Sequence, residues 1–276
     1  MKYNNLKYEK YNDCIVRIID NDVFMYLIVG ENRACLIDSG HGVGDSVKDL
    51  VETLTSLPTF VLLTHNHEDH IGGSGWFEEV YIHRNDIEGY YALSNRQERF
   101  KRHQSERFKH YPIEAYAPEF KKPQFLVDGQ EFDLGGITLK AIGCSGHTKG
   151  SMVVLIKEER IMVYGDAIGR RVTLIHQNLL VSDYLDSLKH VKTYDGQYDI
   201  CLRCHNELTV PLNTIDHLIN CCEEILSGND DRQAISFWHA NGTYTSCYAA
   251  KRVVGSAQIR EDGQVGNIFY TLSNAK

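Results

Sequence analysis

The sequence predicts an α/β protein, with some α+β character, whose elements form a four-layer αββα sandwich. Short apolar or β-branched runs separated by polar turns fill the first forty residues. A second set of such runs lies between residues 124 and 164, and segments with helical periodicity follow each set. Two sheets with helices on their outer faces satisfy this pattern. The chain has 276 residues, of which 42% are hydrophobic, so we expect a single domain over residues 1–276.

The first half opens with a β-meander and continues with alternating helices and strands. The segment Val43–Leu57 is predicted to be a helix because Val47, Leu50, Val51 and Leu54 fall on one face. The strands predicted here are Cys14–Ile19, Phe24–Val29, Ala34–Ile37, Phe60–Leu63 and Val80–Ile82. The other helices predicted here are Ile71–Glu79, Asp86–Leu93 and Gln97–Lys109.

The second half has the same composition of apolar strands followed by helices. Its predicted strands are Gln124–Val127, Ile137–Ile142, Met152–Ile156, Ile161–Tyr164 and Ile200–Leu202. The segment Ser182–Tyr194 is predicted to be helical, and Pro211–Leu226 is a helix with proline at its first position. From Ser236 onward the chain is aromatic and favours strands, ending in Gln258–Leu272.

The composition excludes several classes of protein. A formal net charge of -8 disfavours nucleic acid as a partner, because its phosphates need Lys and Arg. The first ten residues are polar and lack the apolar core of an export signal. No apolar run approaches the length of a membrane span, so no membrane association is expected. We therefore expect a cytoplasmic protein whose 8 cysteines are reduced.

One stretch, residues 64–73, carries most of the chemistry. His65, His67, Asp69 and His70 place three imidazoles and a carboxylate within six residues, directly after an apolar strand. Neutral imidazole suits zinc and similar divalent metals, and carboxylate suits harder ions. A strand end is where a rigid scaffold presents a functional loop. The stretch therefore predicts a metal site, and the glycines that follow allow close approach of the backbone.

Three later residues can complete a two-metal site. His147 lies between two glycines after a predicted strand, Asp166 follows the strand Ile161–Tyr164, and His205 follows Ile200–Leu202. A single His or Asp at a strand end is more often a turn or capping residue. The three together, in this order after the first motif, favour metal binding.

These motifs resemble those of the metallo-β-lactamase superfamily. The resemblance rests on H-x-H-x-D-H at residues 65–70, G-H-T-x-G-S at 146–151, G-D at 165–166 and the late His205. It implies two divalent ions, zinc first and iron or manganese as alternatives. By this resemblance His65, His67 and His147 would hold one ion, and Asp69, His70 and His205 the other. Asp166 would bridge both, and Asp38 would support the metal loop.

The resemblance also implies a reaction. A metal-bridging hydroxide would cleave an ester, lactone or thioester of a small molecule, with Asp69 as the catalytic proton acceptor. The nearest branches are those of glyoxalase II and the lactonases, because Asp166 stands where true β-lactamases commonly carry Cys or Ser. The alternatives are an iron-dependent oxidoreductase, either persulfide dioxygenase-like or diiron, and a phosphodiesterase.

Two segments outside these motifs are candidates for substrate contacts. A cap insertion is expected at about residues 85–122, where 96–122 holds eight basic residues against four Glu. It is either a solvated helical face or a basic lid that attracts an anionic substrate through Arg99 and Arg102. A C-terminal extension at about 230–276 offers Trp238, His239 and Tyr248 as a pocket wall. Core packing or a homodimer contact is the alternative for these aromatic residues.

Overall fold

The computed structural model describes residues 3–103, 107–176, 179–238 and 243–276. The strands are β1 Leu6–Lys10, β2 Ile15–Asp20, β3 Val23–Val29, β4 Ala34–Ile37, β5 Thr59–Leu62, β6 Val80–His83, β7 Gln124–Leu126, β8 Glu131–Asp133, β9 Thr138–Gly143, β10 Met152–Ile156, β11 Ile161–Val163, β12 Val172–Leu174, β13 Ile200–Leu202, β14 Thr209–Val210, β15 Gln233–Trp238, β16 Tyr244–Ala249, β17 Val253–Val254, β18 Ile259–Arg260 and β19 Ile268–Tyr270. The helices are α1 Val47–Leu54, α2 Glu68–Ile71, α3 Ile87–Ala92, α4 Arg96–Arg102, α5 Val181–Lys192 and α6 Thr214–Ser227.

Two large sheets form the centre of the molecule. The first has seven strands in the order β1 to β7, antiparallel as far as β4 and parallel from β4 to β7. The second has six strands in the order β14-β13-β11-β10-β9-β8, and its β11 and β13 are parallel. Each sheet thus begins as a meander and continues in parallel strands, whose carboxyl ends meet at one edge.

The buried side chains confirm the four-layer prediction. One core lies between the sheets and joins residues of the first sheet, such as Tyr26 and Phe60, to residues of the second, such as Leu139. A second core packs the first sheet against α1 and α3. A third packs the second sheet against α5 and α6, where Leu188 and Leu218 are fully buried. Three cores between successive layers give helix, sheet, sheet and helix.

The C-terminal segment contributes a smaller sheet of its own. Its four strands run in the order β12-β19-β16-β15, and a two-stranded hairpin of β17 and β18 lies between β16 and β19 in the chain. Strand β12 comes from the middle of the sequence and pairs in parallel with β19. The extension is therefore fixed to the segment that directly follows Asp166.

Three predicted elements differ from the observed ones. The helix expected at Ile71–Glu79 is a 3-10 turn, Gly72–Trp76, because glycine favours neither helix nor a fixed backbone. The helix expected at Gln97–Lys109 ends at Arg102, where the next residue, His103, pairs with Glu68 and stacks on Phe108. The long final strand is two short ones, β18 and β19. Among the described residues, no helix combines the length and apolar character needed to cross a membrane.

Candidate metal centre

Five strand ends bring the predicted ligands to one edge of the sandwich. The ligand loop of residues 65–70 follows β5, and His147 lies in the turn between β9 and β10. Asp166 and His205 follow β11 and β13, which are neighbours in the second sheet. Asp38 follows β4, beside β5 in the first sheet. The backbone N–H of Met152 donates to the Thr64 carbonyl at 2.8 Å, which joins the two sheets directly below this edge.

The first group of ligands consists of His65, His67 and His147. The Nε2 atom of His147 lies 2.9 Å from Nδ1 of His67. The Nε2 atom of His65 is buried and has no hydrogen-bond partner among the described residues. One nitrogen from each ring lies within 4.8 Å of the others. A buried imidazole nitrogen without a partner is costly, unless a cation accepts its lone pair.

The second group consists of Asp69, His70 and His205. The Nε2 atoms of His70 and His205 lie 3.0 Å apart. The Oδ2 atom of Asp69 lies 3.1 Å from Nε2 of His205 and 3.7 Å from Nε2 of His70. Two imidazoles and a carboxylate aimed at one point have the composition of a zinc or iron site.

Asp166 lies between the two groups. Its Oδ2 is 3.8 Å from Nε2 of His147, in the first group. The same oxygen is 3.8 Å from Nε2 of His70 and 3.6 Å from Nε2 of His205, in the second. The residues present therefore fit a pair of divalent ions, with one carboxylate within reach of both.

The outer ring nitrogens of four histidines have partners of their own. Nδ1 of His65 lies 3.0 Å from the Thr64 hydroxyl, and Nδ1 of His147 lies 3.2 Å from the Thr173 hydroxyl. Nδ1 of His205 donates to the Asp22 carbonyl at 2.8 Å. Nδ1 of His70 pairs with Oδ2 of Asp38 at 2.8 Å. Each contact fixes a ring so that its other nitrogen faces inward, as in metal sites.

The electrostatics differ between the two groups. Burial lowers the pKa of His67 to about 3 and that of His147 to about 4, so both rings are neutral, as metal ligation requires. Burial also disfavours the charged form of His70, but Asp69 and Asp38 outweigh it and raise its pKa to about 10. The carboxylates thus favour a positive charge at His70, and a divalent cation would provide one.

Asp86 is a residue of the site that the sequence did not reveal. Its carboxylate accepts hydrogen bonds from the backbone N–H of Asn66 at 3.0 Å and of Gly150 at 2.8 Å. It also accepts one from the Thr148 hydroxyl at 2.7 Å. Asp86 therefore ties the loop of His65 and His67 to the loop of His147. The one available signal was its position after β6, at the same edge as the ligands.

Two glycines allow the ligand loop to pack against the loop after β4. A Cβ atom on Gly72 would lie 2.0 Å from the His41 carbonyl oxygen, and one on Gly73 would lie 2.3 Å from that of Ser39. Neither distance is compatible with a side chain. The backbone of the loop thus approaches its neighbour as closely as the sequence predicted.

The structure does not place Arg99 as a substrate contact. The side chain is fully buried, and its guanidinium donates to four carbonyl oxygens, those of Leu93, Ser94, Ala117 and Pro118. A guanidinium satisfied by backbone carbonyls holds the insertion together, which corrects the prediction that it attracts substrate. Arg102 is exposed at the end of α4.

The predicted C-terminal contacts lie at different depths. Trp238 is 65% exposed and lies 5.4 Å from the ring of Tyr244, at the outer end of the β15–β16 hairpin. Tyr248 packs against the core of the second sheet, with its ring 6.1 Å from that of Tyr270. Neither is brought to the ligand cluster. His239 lies outside the described residues.

A comparison with protein-family models provides independent evidence on the family of this chain. The model of the metallo-beta-lactamase superfamily matches residues 19–198, which is well over half of the chain. The chain belongs to the metallo-β-lactamase superfamily. The matched range contains β3 to β12 and six of the seven predicted ligands, and His205 lies seven residues beyond its end.

Curated relatives of this superfamily member are about a quarter identical to it over the matched regions. A beta-lactamase-like protein 2 homolog of Caenorhabditis elegans is 28% identical over 67% of the chain and 59% of its own length. The acyl-coenzyme A thioesterase MBLAC2 of Gallus gallus is 27% identical over 62% of the chain and 67% of its own length. An atrochrysone carboxyl ACP thioesterase of a Cryptosporiopsis species is 25% identical over 68% and 53%. The chain thus spans about half to two thirds of these relatives.

Solved structures agree with the fold. A metallo-beta-lactamase family protein of Thermus thermophilus has a TM-score of 0.54 and 20% identity, covering 81% of each chain. A metallo-beta-lactamase of Pontibacter korlensis has a TM-score of 0.58 and 14% identity, over 79% of this chain and 99% of that one. A sec-alkylsulfatase of a Pseudomonas species has a TM-score of 0.59 and 13% identity, over 81% and 42%. At these identities the likeness concerns the fold alone.

Proposed function

We propose that this chain is a metal-dependent hydrolase that binds two divalent ions, with zinc as the first expectation, and cleaves a thioester, ester or lactone of a small molecule. The observation that carries the proposal is the convergence of seven side chains, which form three overlapping groups of possible ligand atoms within 4.8 Å of one another. Such an arrangement of lone pairs is stable only around cations or shared protons.

Each residue of the cluster has a defined task in such a reaction. Two bound ions would supply a hydroxide at neutral pH and polarise the substrate carbonyl. His65, His67 and His147 would hold one ion, and Asp69, His70 and His205 the other. Burial alone would raise the pKa of Asp69, but His70 and His205 hold it well below its ordinary value. The Asp69 carboxylate is therefore ionised, and Oδ1, the oxygen that does not face His205, can accept a proton from the attacking water.

The curated relatives favour the thioester among these substrates. Two of them are named as thioesterases, one acting on acyl-coenzyme A and one on an acyl carrier protein. Action in the cytoplasm and assembly as a homodimer stay predictions.

A hydrolysis panel with defined metal content tests the proposal. Acetyl-coenzyme A, longer acyl-coenzyme A thioesters, aryl esters, lactones and a phosphodiester would be offered to the purified protein, with metal content measured in parallel. We expect about two zinc ions per chain and turnover that is fastest on a thioester. Visible absorbance with bound iron, and no hydrolysis, would instead favour the oxidoreductase alternative.

A pair of histidine variants makes the panel specific to the site. His67→Ala should lose more than about a hundredfold in kcat, because it removes a metal ligand. His190→Ala is the matched control, since His190 pairs with Asp128 on the surface of α5, away from the ligand cluster. Full turnover by His67→Ala, or by protein stripped of metal with a chelator, would contradict the proposed function.

A further inference from the structure

The basic residues of the insertion are mostly paired within the protein. Arg107 forms an ion pair with Asp22 at 2.6 Å, and Lys101 forms one with Glu98 at 2.8 Å. Lys121 pairs with Glu78, and the Arg99 guanidinium is buried among carbonyl oxygens. Paired cations attract an anionic ligand weakly, because their field is already compensated. These four residues of the insertion are therefore weak candidates for recognition of an anion.

A second group of arginines lies beside Asp166. Arg170 pairs with Glu207 through its Nε at 2.7 Å. The guanidinium of Arg203 is 3.9 Å from Oδ1 of Asp166. Arg171 donates instead to the neutral side-chain oxygen of Gln258 at 3.2 Å, and over residues 3–103, 107–176, 179–238 and 243–276 no carboxylate lies within ion-pair distance of it. Arg171 is thus exposed and carries an uncompensated charge.

The C-terminal sheet holds Arg171 in place and links it to the metal centre. The guanidinium carbon lies 5.6 Å from the ring centre of Phe237 and 5.4 Å from that of Phe269, which favours a cation over the rings. Phe269 is paired with Thr173 in the parallel register of β12 and β19. The Thr173 hydroxyl lies 3.2 Å from Nδ1 of His147. Arg171 directly precedes β12 and is two residues from Thr173, so one short segment carries both the arginine and the threonine that contacts His147.

The surroundings of Arg171 favour an additional anion. Although the residue as a whole is exposed, its guanidinium lies over two aromatic rings, and this local burial, together with the neighbouring Arg203, lowers the pKa of Arg171, which Asp166 only partly offsets. Nε of Arg203 is buried without a hydrogen-bond partner among the described residues. Asp166 faces three imidazoles through its other oxygen. Its charge is therefore needed by the candidate metal centre and compensates the two guanidiniums only in part.

The two phenylalanines beside Arg171 belong to an apolar cluster of the C-terminal sheet, part of which reaches the surface. Phe269 is fully buried, whereas Phe237, Ile175 and Ile235 are partly exposed. Ile235 is paired with Cys247 across β15 and β16, which continues the same face. A ligand that ends in an anion next to Arg171 could lay an apolar portion on this surface.

We infer that Arg171, seated on Phe237 and Phe269 beside Asp166, binds a carboxylate or phosphate group of the substrate, so that the enzyme selects anionic substrates with an apolar portion. The substrate part of this inference rests on the proposed hydrolase function. The binding part does not, because a guanidinium without a carboxylate partner can bind an anion whether or not hydrolysis follows.

A binding experiment tests the site without turnover. The probes are 4-phenylbutyrate and its neutral analogue 4-phenylbutanamide, titrated calorimetrically into the purified protein. We expect the wild type to prefer the acid, and Arg171→Gln to lose about tenfold in affinity for the acid while affinity for the amide is unchanged. Arg170→Gln is the matched control, because it removes an adjacent charge that Glu207 already compensates. It should bind both probes as the wild type does.

The variants also define the outcomes that would overturn the inference. Equal losses of affinity for the acid in Arg171→Gln and Arg170→Gln would indicate that the overall positive field attracts the acid, rather than a specific binding site at Arg171. No preference for the acid in the wild type would contradict the inference directly. Arg171→Lys keeps the charge and guards against a folding defect in Arg171→Gln. It should retain most of the preference, and a loss as large as that of Arg171→Gln, with native circular dichroism, would exclude recognition by charge.

A kinetic experiment relates the same residue to turnover. The matched substrates are 4-nitrophenyl hexanoate and 4-nitrophenyl hydrogen adipate, which differ in a terminal methyl or carboxylate. We expect the ratio of kcat/KM for the adipate to that for the hexanoate to fall about tenfold in Arg171→Gln, mainly through KM. An unchanged ratio would contradict the inference. A third outcome separates the two proposals. If Arg171→Gln loses the preference for the acid, and neither it nor the wild type hydrolyses either ester, the anion site is supported and the proposed function is contradicted.

Discussion

The two groups of candidate ligands in the proposed metal centre are held in place by different chemistry. His65 and His147 in the first group have threonine hydroxyls beside their outer nitrogens, and Asp86 connects the two loops that carry them. In the second group, His70 pairs with the buried carboxylate of Asp38. The outer nitrogens of His65 and His147 therefore have neutral partners, and a buried carboxylate acts only on their loops, whereas the ring of His70 pairs directly with a buried carboxylate.

This difference has a consequence for metal binding. Neutral imidazoles with neutral partners give the first group a preference for borderline ions such as zinc. Carboxylates close to His70 make the second group more negative, which strengthens its attraction for any divalent cation. The first group also depends on the Asp86 connection between two loops, whereas in the second group His70 and its partner Asp38 follow neighbouring strands of one sheet. We therefore expect that removing the supporting residue of each group will change metal affinity and the free energy of unfolding by different amounts.

The largest effect is expected from Asp38→Asn. Asp38 is fully buried, has a positive φ of 62° that Asn tolerates, and accepts a 2.8 Å hydrogen bond from the backbone N–H of Thr64. The amide removes the negative charge beside His70 and should cost about 3 kcal/mol in the free energy of unfolding. Urea denaturation measures this change, and metal analysis should show loss of the second ion first. The exposed Asp186→Asn is the control, and equal stability of the two variants would remove the distinction between the groups.

A smaller and different effect is expected from Asp86→Asn. One amide oxygen cannot replace both carboxylate oxygens as acceptors for Asn66, Thr148 and Gly150, so the two loops should separate slightly. We expect a loss of about tenfold to a hundredfold in affinity for the first ion, with a change in unfolding free energy of about 1–2 kcal/mol. Competition with a chromophoric chelator measures the affinity. Loss of both ions together would show that the groups are not independent.

The smallest effect is expected from Arg107→Ala. The ion pair of Arg107 with Asp22 is about half exposed, and such pairs contribute about 0–1 kcal/mol. His205 binds the Asp22 carbonyl and not its carboxylate, so its orientation should be unchanged. Thermal unfolding and kcat/KM should both stay close to wild type, with kcat/KM changing by less than about threefold. A large loss of activity would instead mean that the insertion positions the second group through Asp22.

Much of the fold followed from local sequence patterns. The predicted helix Ser182–Tyr194 and the observed α5 differ by one or two residues at their ends, because its apolar face is regular over three turns. The helix predicted at Gln97–Lys109 was too long, because the contacts of His103 with Glu68 and Phe108 come from the folded structure. The charge pattern of this segment also suggested exposed arginines. Arg99 is nevertheless buried, and it donates to carbonyl oxygens of residues 117 and 118, which approach it only in the folded protein.

The sequence by itself determined the family, the layers and the set of candidate metal ligands. Ligand type and position after an apolar strand are local properties, so residues 65–70, His147, Asp166 and His205 could be read directly from the chain. The tertiary structure alone decided which residues support them. Asp86 reaches Thr148 across 62 positions of sequence, and Arg171 meets its aromatic partners only because β12 pairs with β19. Contacts between distant segments depend on how the layers pack, and no local pattern encodes them.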